Sequence, residues 1–434
     1  MPHFCQTVNF RHYQSKQRGA ALMVMLVIMV MGAATFLVSS LSLSALKNKR
    51  QENTAAALAQ AKEALIGYAA SRTDGATNPR PGELPCPDTN APGSANYGTQ
   101  ASSCVAGAIG RLPWKTLGIE ELKDGYGETL WYVIDGSFRR RNSNNQPINS
   151  DTRATMLVYD RDGATLLTPS GSEAVAIIFS PGPILGTQQR GTTTEQTTAS
   201  NYLDNASPPA ISVARSNAVA NGPFVQGTVK DANGAMVIND SLLIITAHDL
   251  MQVIEKRVAM ELKTLLGNYF ATNGYYPYPA KFNDPNCLDV GSTGYVTNCQ
   301  SDSTQCRGRL PDTATTATPT PDWIGVPGWF YYNLWGQVIY YAVGTSSLAS
   351  APANCSATLT VNGTAGARGL FIMPGTPLGA IVRNTPSQSI VLGNYLEDAM
   401  NQDGWTAIPP NTQVNADSYA TPTAASNDRM QQLP

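Results

Sequence analysis

The chain has 434 residues, 42% of them apolar and only 14% charged, against roughly 25% charged in an ordinary soluble domain. With 29 Lys+Arg, 31 Asp+Glu and a formal charge of -2, it offers no basic field for nucleic acid and is not a long charge-rich disordered chain. Only one stretch is long and uncharged enough to span a bilayer, which excludes an ordinary multi-pass membrane protein.

Residues 1–19 are polar, with Arg11, Lys16 and Arg18 and no acidic residue. From Ala20 to Leu46 there is no charge. As a helix this stretch spans about 40 Å, enough to cross a hydrocarbon core of roughly 30 Å. The basic flank predicts a cytoplasmic N-terminus. The expected localisation is therefore single-pass in the inner membrane, with the remaining chain in the periplasm. Three readings of this segment compete: an uncleaved signal anchor, a secretory signal cut after Ser44, and a leader cut after Gly19. The apolar region exceeds the 7–15 residues usual for secretory signals. The helical pattern also runs on past Leu46: Leu58, Ala61, Leu65 and Tyr68 form one stripe. A helix of about 50 residues, to about Ser71, is predicted.

Lys16-Gln17-Arg18-Gly19 followed by Ala20-Ala21-Leu22 resembles the site where a prepilin peptidase cuts after glycine. A long helix, apolar all round and then amphipathic, resembles the spine of type IV pilins and type II secretion pseudopilins. The resemblance implies cleavage after Gly19, methylation at Ala20, and packing on other pilins or pseudopilins through the helix. In major pilins the fifth mature residue is Glu; here it is Val24. A carboxylate in lipid is costly unless paired. Its absence resembles the minor pilins and the large tip minor pseudopilin, not the repeating shaft subunit.

The rest of the chain contains an internal repeat. GELPCPD…GRLPWKTLGIEELKDGYGETLWYVIDG matches YYPYPA…GRLPD…PGWFYYNLWGQVIYYAVG. AVAIIFSPGPILGTQQR at 174–190 matches RGLFIMPGTPLGAIVR at 368–383, and each is followed by NYL and an acid, Asp204 or Glu397. Asn333 stands where the first copy has Asp124. The runs 131–134, 156–159 and 175–179 have strand composition, and a helix is predicted over about 246–271. The expected fold is α+β: a long transmembrane, pilin-like helix, then two tandem pilin-like units, each a helix packed on an antiparallel sheet. The expected segments are the leader 1–19, the membrane part 20–46, a first unit 47–239 with a long surface loop at 191–240, a second unit 240–406, and a flexible tail 407–434. A second flexible insert is expected at 311–322.

Cys5 falls in the leader, leaving six cysteines in an oxidising compartment. Cys86 and Cys104 flank a Gly/Ser/Asn-rich loop and are expected to pair. Cys287, Cys299, Cys306 and Cys355 allow three pairings; position favours Cys287–Cys306 with Cys299–Cys355. No CxxC spacing supports zinc.

Little else suggests chemistry. Of three histidines, His3, His12 and His248, only His248 survives loss of the leader, so a His-based catalytic set is hard to build. Asp160 and Asp162 sit in a DRDG run that resembles the start of a calcium loop. The twelve-residue EF-hand pattern is absent, and Asp-Gly is a turn pair, so calcium is the weaker reading. The carboxylate pairs Glu120-Glu121 and Asp124/Glu128 read as helix-end and turn residues, not glycosidase acids. The aromatic cluster Trp329, Phe330, Tyr331, Tyr332, Trp335, Tyr340 and Tyr341 reads as sheet core, or else as a binding surface. The expectation is a non-enzymatic minor pilin-like or pseudopilin-like subunit, joining or capping a type IV pilus or type II secretion pseudopilus. The alternative is a membrane-anchored extracellular binding protein with a pilin-like anchor.

Overall fold

The computed structural model describes residues 18–72, 80–139, 147–284, 287, 299–311, 328–379, 381–383, 389–402, 417–423 and 426–434. Leader residues 1–17 and most of the 311–322 insert lie outside these, as do the side chains of Gly19, Ala20, Val24 and Tyr332. The chain divides into two compact units, Met1–Asn53 and Thr54–Pro434.

Helix α1 runs Arg18–Ser71. The expectation that it crosses a membrane is overturned: among the described residues no helix is long and apolar enough to do so. The single-pass inner-membrane placement falls with it.

Within Thr54–Pro434 the fold is α+β with mostly small sheets. Among the described residues two sheets have four strands. The first is antiparallel, in the order β1 (Ile109–Arg111), β2 (Trp131–Ile134), β3 (Ala174–Ser180), β4 (Ser241–Thr246). The second repeats that order with β5 (Arg307–Arg309), β6 (Tyr340–Val343), β7 (Gly369–Met373) and β8 (Arg429–Gln432). Details repeat as well. Gly110 lies opposite Tyr132, and Gly308 opposite Tyr341. The Tyr132 hydroxyl donates to the Pro85 carbonyl at 3.2 Å, and Tyr341 to Pro277 at 3.1 Å. The glycine of each GRLP is required by close approach. A Cβ at Gly110 would lie 2.6 Å from the Asp88 carbonyl oxygen, and one at Gly308 2.0 Å from that of Ala280.

The strands form where β-branched and aromatic residues alternate between two covered faces. Tyr132, Ile134, Ala176 and Ile178 join the main core, while Trp131, Val133, Ile177 and Phe179 join a second core beneath Tyr202, Leu203 and Phe224. The main core is shared by both halves. Ala57, Leu58, Ala61 and Leu65 of α1 enter it, as do Leu250, Ile254, Val258 and Leu262 of α2 (Ala247–Asn273), together with both sheets. The expectation of two tandem units, each a helix on its own sheet, is corrected here to two sheets and two helices around one interior.

Helix α2 starts with a capping box. Thr246 Oγ1 accepts from the Asp249 amide, and Asp249 accepts from the Thr246 amide. Gly274, in the left-handed conformation, closes the other end. Thr246→Ala is expected to lower stability by about 1 kcal/mol, read from the urea midpoint.

Two segments expected to be irregular are ordered. The 191–240 stretch carries short ladders, including Asn205–Ala206 with Arg215–Ser216 and Val229–Lys230 with Met236–Ile238. These enclose a small core of Ala206, Ile211, Val225, Val229 and Ile238. The tail expected to fray supplies β8, the fourth strand of the second sheet. Its sequence RMQQ lacks the apolar alternation that signals a strand, because β8 is an edge strand whose described residues are half-buried or exposed.

Candidate functional site

The repeat builds one polar constellation twice. In the first half Arg111, from the GRLP of β1, lies over the rings of Trp131 and Tyr202, 5.2 and 5.7 Å from their centroids. Arg190 covers Tyr202 at 4.5 Å. In the second half Arg309, from the GRLP of β5, lies over Tyr395 at 5.2 Å, and Arg383 covers Tyr395 at 4.6 Å. Tyr202 and Tyr395 are the tyrosines of the two NYL motifs, each following a short 3-10 turn.

The hydrogen bonds repeat in kind. Arg190 Nε donates to the Asn201 carbonyl at 2.8 Å, and Arg383 Nε to that of Asn394 at 2.6 Å. Arg190 Nη1 donates to Gly182 at 3.1 Å, and Arg383 Nη1 to Gly375 at 3.0 Å. Each outer arginine then takes an acid: Arg190 pairs with Glu128 at 2.8 Å and Arg383 with Asp151 at 3.2 Å. Burial raises the phenol pKa of both tyrosines and lowers the Arg309 guanidinium. A cation–π contact of this desolvated kind contributes about 2 kcal/mol. The stack therefore pins the NYL segment against its sheet.

In the second half the stack joins a buried seam. Asp151 lies between Arg383 and the Tyr395 hydroxyl. Beside it the Ser150 hydroxyl donates to Glu255 of α2 at 2.5 Å. Burial pushes Glu255 up to about 7. Asn149 Nδ2 reaches the Asn333 carbonyl at 2.9 Å, and Asn333 Oδ1 accepts from the Ile148 amide at 3.0 Å. The turn residue of the second copy thus ties the two halves together. Its counterpart Asp124 stays within the first half, accepting from Tyr126, Glu128, Ser180 and Gly182.

The residues singled out from sequence scatter. Gly19, Ala20 and Val24 lie in α1. Trp329, Phe330, Trp335, Tyr340 and Tyr341 are buried in the main core. Asp162 accepts from the Ala164 and Thr165 amides and the Thr165 hydroxyl, which hold it at about 2, and Asp160 receives the Arg161 amide. That is turn chemistry, and no metal-holding group of three acidic, Cys or His residues occurs among the described residues. His248 meets Gln252 and, at 3.5 Å, the Thr376 hydroxyl. The disulfides are Cys86–Cys104, Cys287–Cys299 and Cys306–Cys355. The Cys287–Cys306 and Cys299–Cys355 pairing is corrected: Cys306 directly precedes β5, and Arg307 Nη2 donates to the Asn354 carbonyl, which brings Cys355 alongside.

The stack itself escaped sequence reasoning, although each member is part of the repeat: the Arg of GRLP, the terminal Arg of GTQQR and GAIVR, and the Tyr of NYL. No family model, no curated protein and no solved structure matches the chain.

Proposed function

We propose that this chain is a non-catalytic minor subunit of a pilin-like filament, cut after Gly19 by a prepilin peptidase and packed on other subunits through α1. The observation that carries the reading is the exposed apolar surface of α1. Met23, Met25, Leu26, Val27, Ile28, Met29, Val30 and Met31 leave between 53% and 74% of their surface exposed. An apolar run of this size on one helix calls for a partner surface, and the same helix of neighbouring subunits is the occupant that fits a filament core. Val24 supports a terminal or priming position, since it supplies no carboxylate for a neighbour's amine. The filament is a type IV pilus or a type II secretion pseudopilus.

The test is the mature N-terminus by mass spectrometry, in wild type and in a strain lacking prepilin peptidase. A methylated Ala20 start that vanishes in the mutant is expected, and Gly19→Ala should block processing. An intact Met1 or a start at Ala45 in both strains overturns the proposal.

A further inference from the structure

Each NYL motif ends in an acid that faces a second acid far along the chain. Asp204 meets Asp240, the residue before β4; Glu397 meets Asp428, the residue before β8. The backbone geometry is the same in both. The Asp204 amide donates to Asp240 Oδ2 at 2.7 Å, and the Glu397 amide to Asp428 Oδ2 at 3.4 Å. In both pairs the other oxygen of the second acid, Asp240 Oδ1 and Asp428 Oδ1, is buried and has no hydrogen-bond donor. Asp204, Asp240 and Asp428 are all buried. None of the described ion pairs involves these four carboxyls.

Facing carboxylates without a cation repel, and the buried ones, Asp204, Asp240 and Asp428, also lose hydration, while Glu397 is half-buried. One proton between them removes the repulsion and supplies the missing donor. We propose that each acid pair, Asp204–Asp240 and Glu397–Asp428, shares a single proton that clasps the neck of the excursion between the third and fourth strands of its sheet. The first pair closes the segment 205–239, and the second closes 398–427.

The surroundings favour this. The first pair is met by neutral donors: Gln188 Nε2 to Asp204 Oδ1 at 2.7 Å, the Asn239 amide to Asp204 Oδ2 at 2.7 Å, and Asn217 Nδ2 to Asp240 Oδ2 at 3.2 Å. Arg190 lies behind Gln188, hydrogen-bonded to its side-chain oxygen. At the second pair the Ser426 hydroxyl donates to Glu397 Oε2 at 2.8 Å. Arg429 follows Asp428, and both line a cavity of about 400 Å³ with His248 and Gln252. Burial first, then the facing acid, raises Asp240 well above the usual carboxyl range and Asp428 to about 8.

The sign follows from linkage. A carboxyl raised in the folded state binds more protons there than when unfolded. Its stabilisation is complete below the ordinary carboxyl pKa and is lost as pH rises through the folded value. Glu255 adds a change of the same sign through about 7, so the test compares variants. The thermal midpoint of wild type should fall between about pH 5 and about pH 9, and Asp240→Asn with Asp428→Asn should remove at least half of that fall. Asparagine keeps the shape and supplies a permanent donor. A measurement on the wild-type fold guards against a variant that fails to fold: the infrared absorption of a protonated carboxyl at neutral pH, lost on alkalinisation. A wild-type slope left unchanged in the double variant, or no such band at neutral pH, overturns the proposal.

Discussion

Arg383→Ala is expected to cost about 3–5 kcal/mol, read as a lower urea midpoint. Arg383 is almost fully buried and donates to the carbonyls of Asn394 and Gly375 while pairing with Asp151. Truncation leaves Asp151 as an uncompensated carboxylate in the seam, beside the rising pKa of Glu255, and strips one cation from the Tyr395 ring. Burial already pushes the Asp151 pKa up, with Arg383 first among the groups that pull it down. Without Arg383 the acid takes up a proton at higher pH, so the loss should be smaller in mild acid. Arg190→Ala makes the matching deletion in the first half. Its acid, Glu128, is more exposed than Asp151 and can rehydrate, so the cost should be smaller. Equal, small effects at both positions would show that the stacks do not hold their NYL segments.

Removing the Cys306–Cys355 disulfide by a double serine substitution is expected to cost about 4 kcal/mol. The pair closes a sequence separation of 49, and loop-closure entropy rises with the logarithm of that span. The same change at Cys86–Cys104, across a separation of 18, should cost about 3 kcal/mol. Denaturant midpoints of the two variants settle the order. Peptide mapping of the oxidised protein should recover Cys287 linked to Cys299. Recovery of Cys287 with Cys306 would contradict the pairing.

What was legible in the residues was local or repeated. The helix predicted over about 246–271 forms at Ala247–Asn273, since its apolar stripe and its cap both lie within one segment. The runs at 131–134 and 175–179 form β2 and β3, because a short β-branched and aromatic run signals a strand buried on both faces without distant information. The edge strand β8 and the acids Asp240 and Asp428 were not legible. Their partners lie on segments far away in sequence, and nothing in RMQQ or in a lone Asp names a partner. The membrane-crossing expectation rests on the length, apolar character and basic flank of 20–46, and among the described residues no helix is long and apolar enough to span. The disulfides of the second half failed for a related reason. Position in the chain ranked Cys287 against Cys306, while strand pairing moved Cys306 next to Cys355.

In both sheets the third and fourth strands are immediate neighbours, yet the chain between them wanders through 181–240 in one and 374–428 in the other. The register of β3 with β4, and of β7 with β8, is set by the strands and by what pins the neck. Part of each excursion is also built into the fold: Tyr202, Leu203 and Phe224 pack against the first sheet, and Tyr395, Leu396 and Tyr419 join the main core. Closing a longer excursion is cheap, since each doubling of length costs only about 0.6 kcal/mol. The anchored residues fix where each excursion touches its sheet, and added length costs least in the stretches between them. Insertions are expected to be tolerated best between those anchors, as in the exposed turn at 232–235.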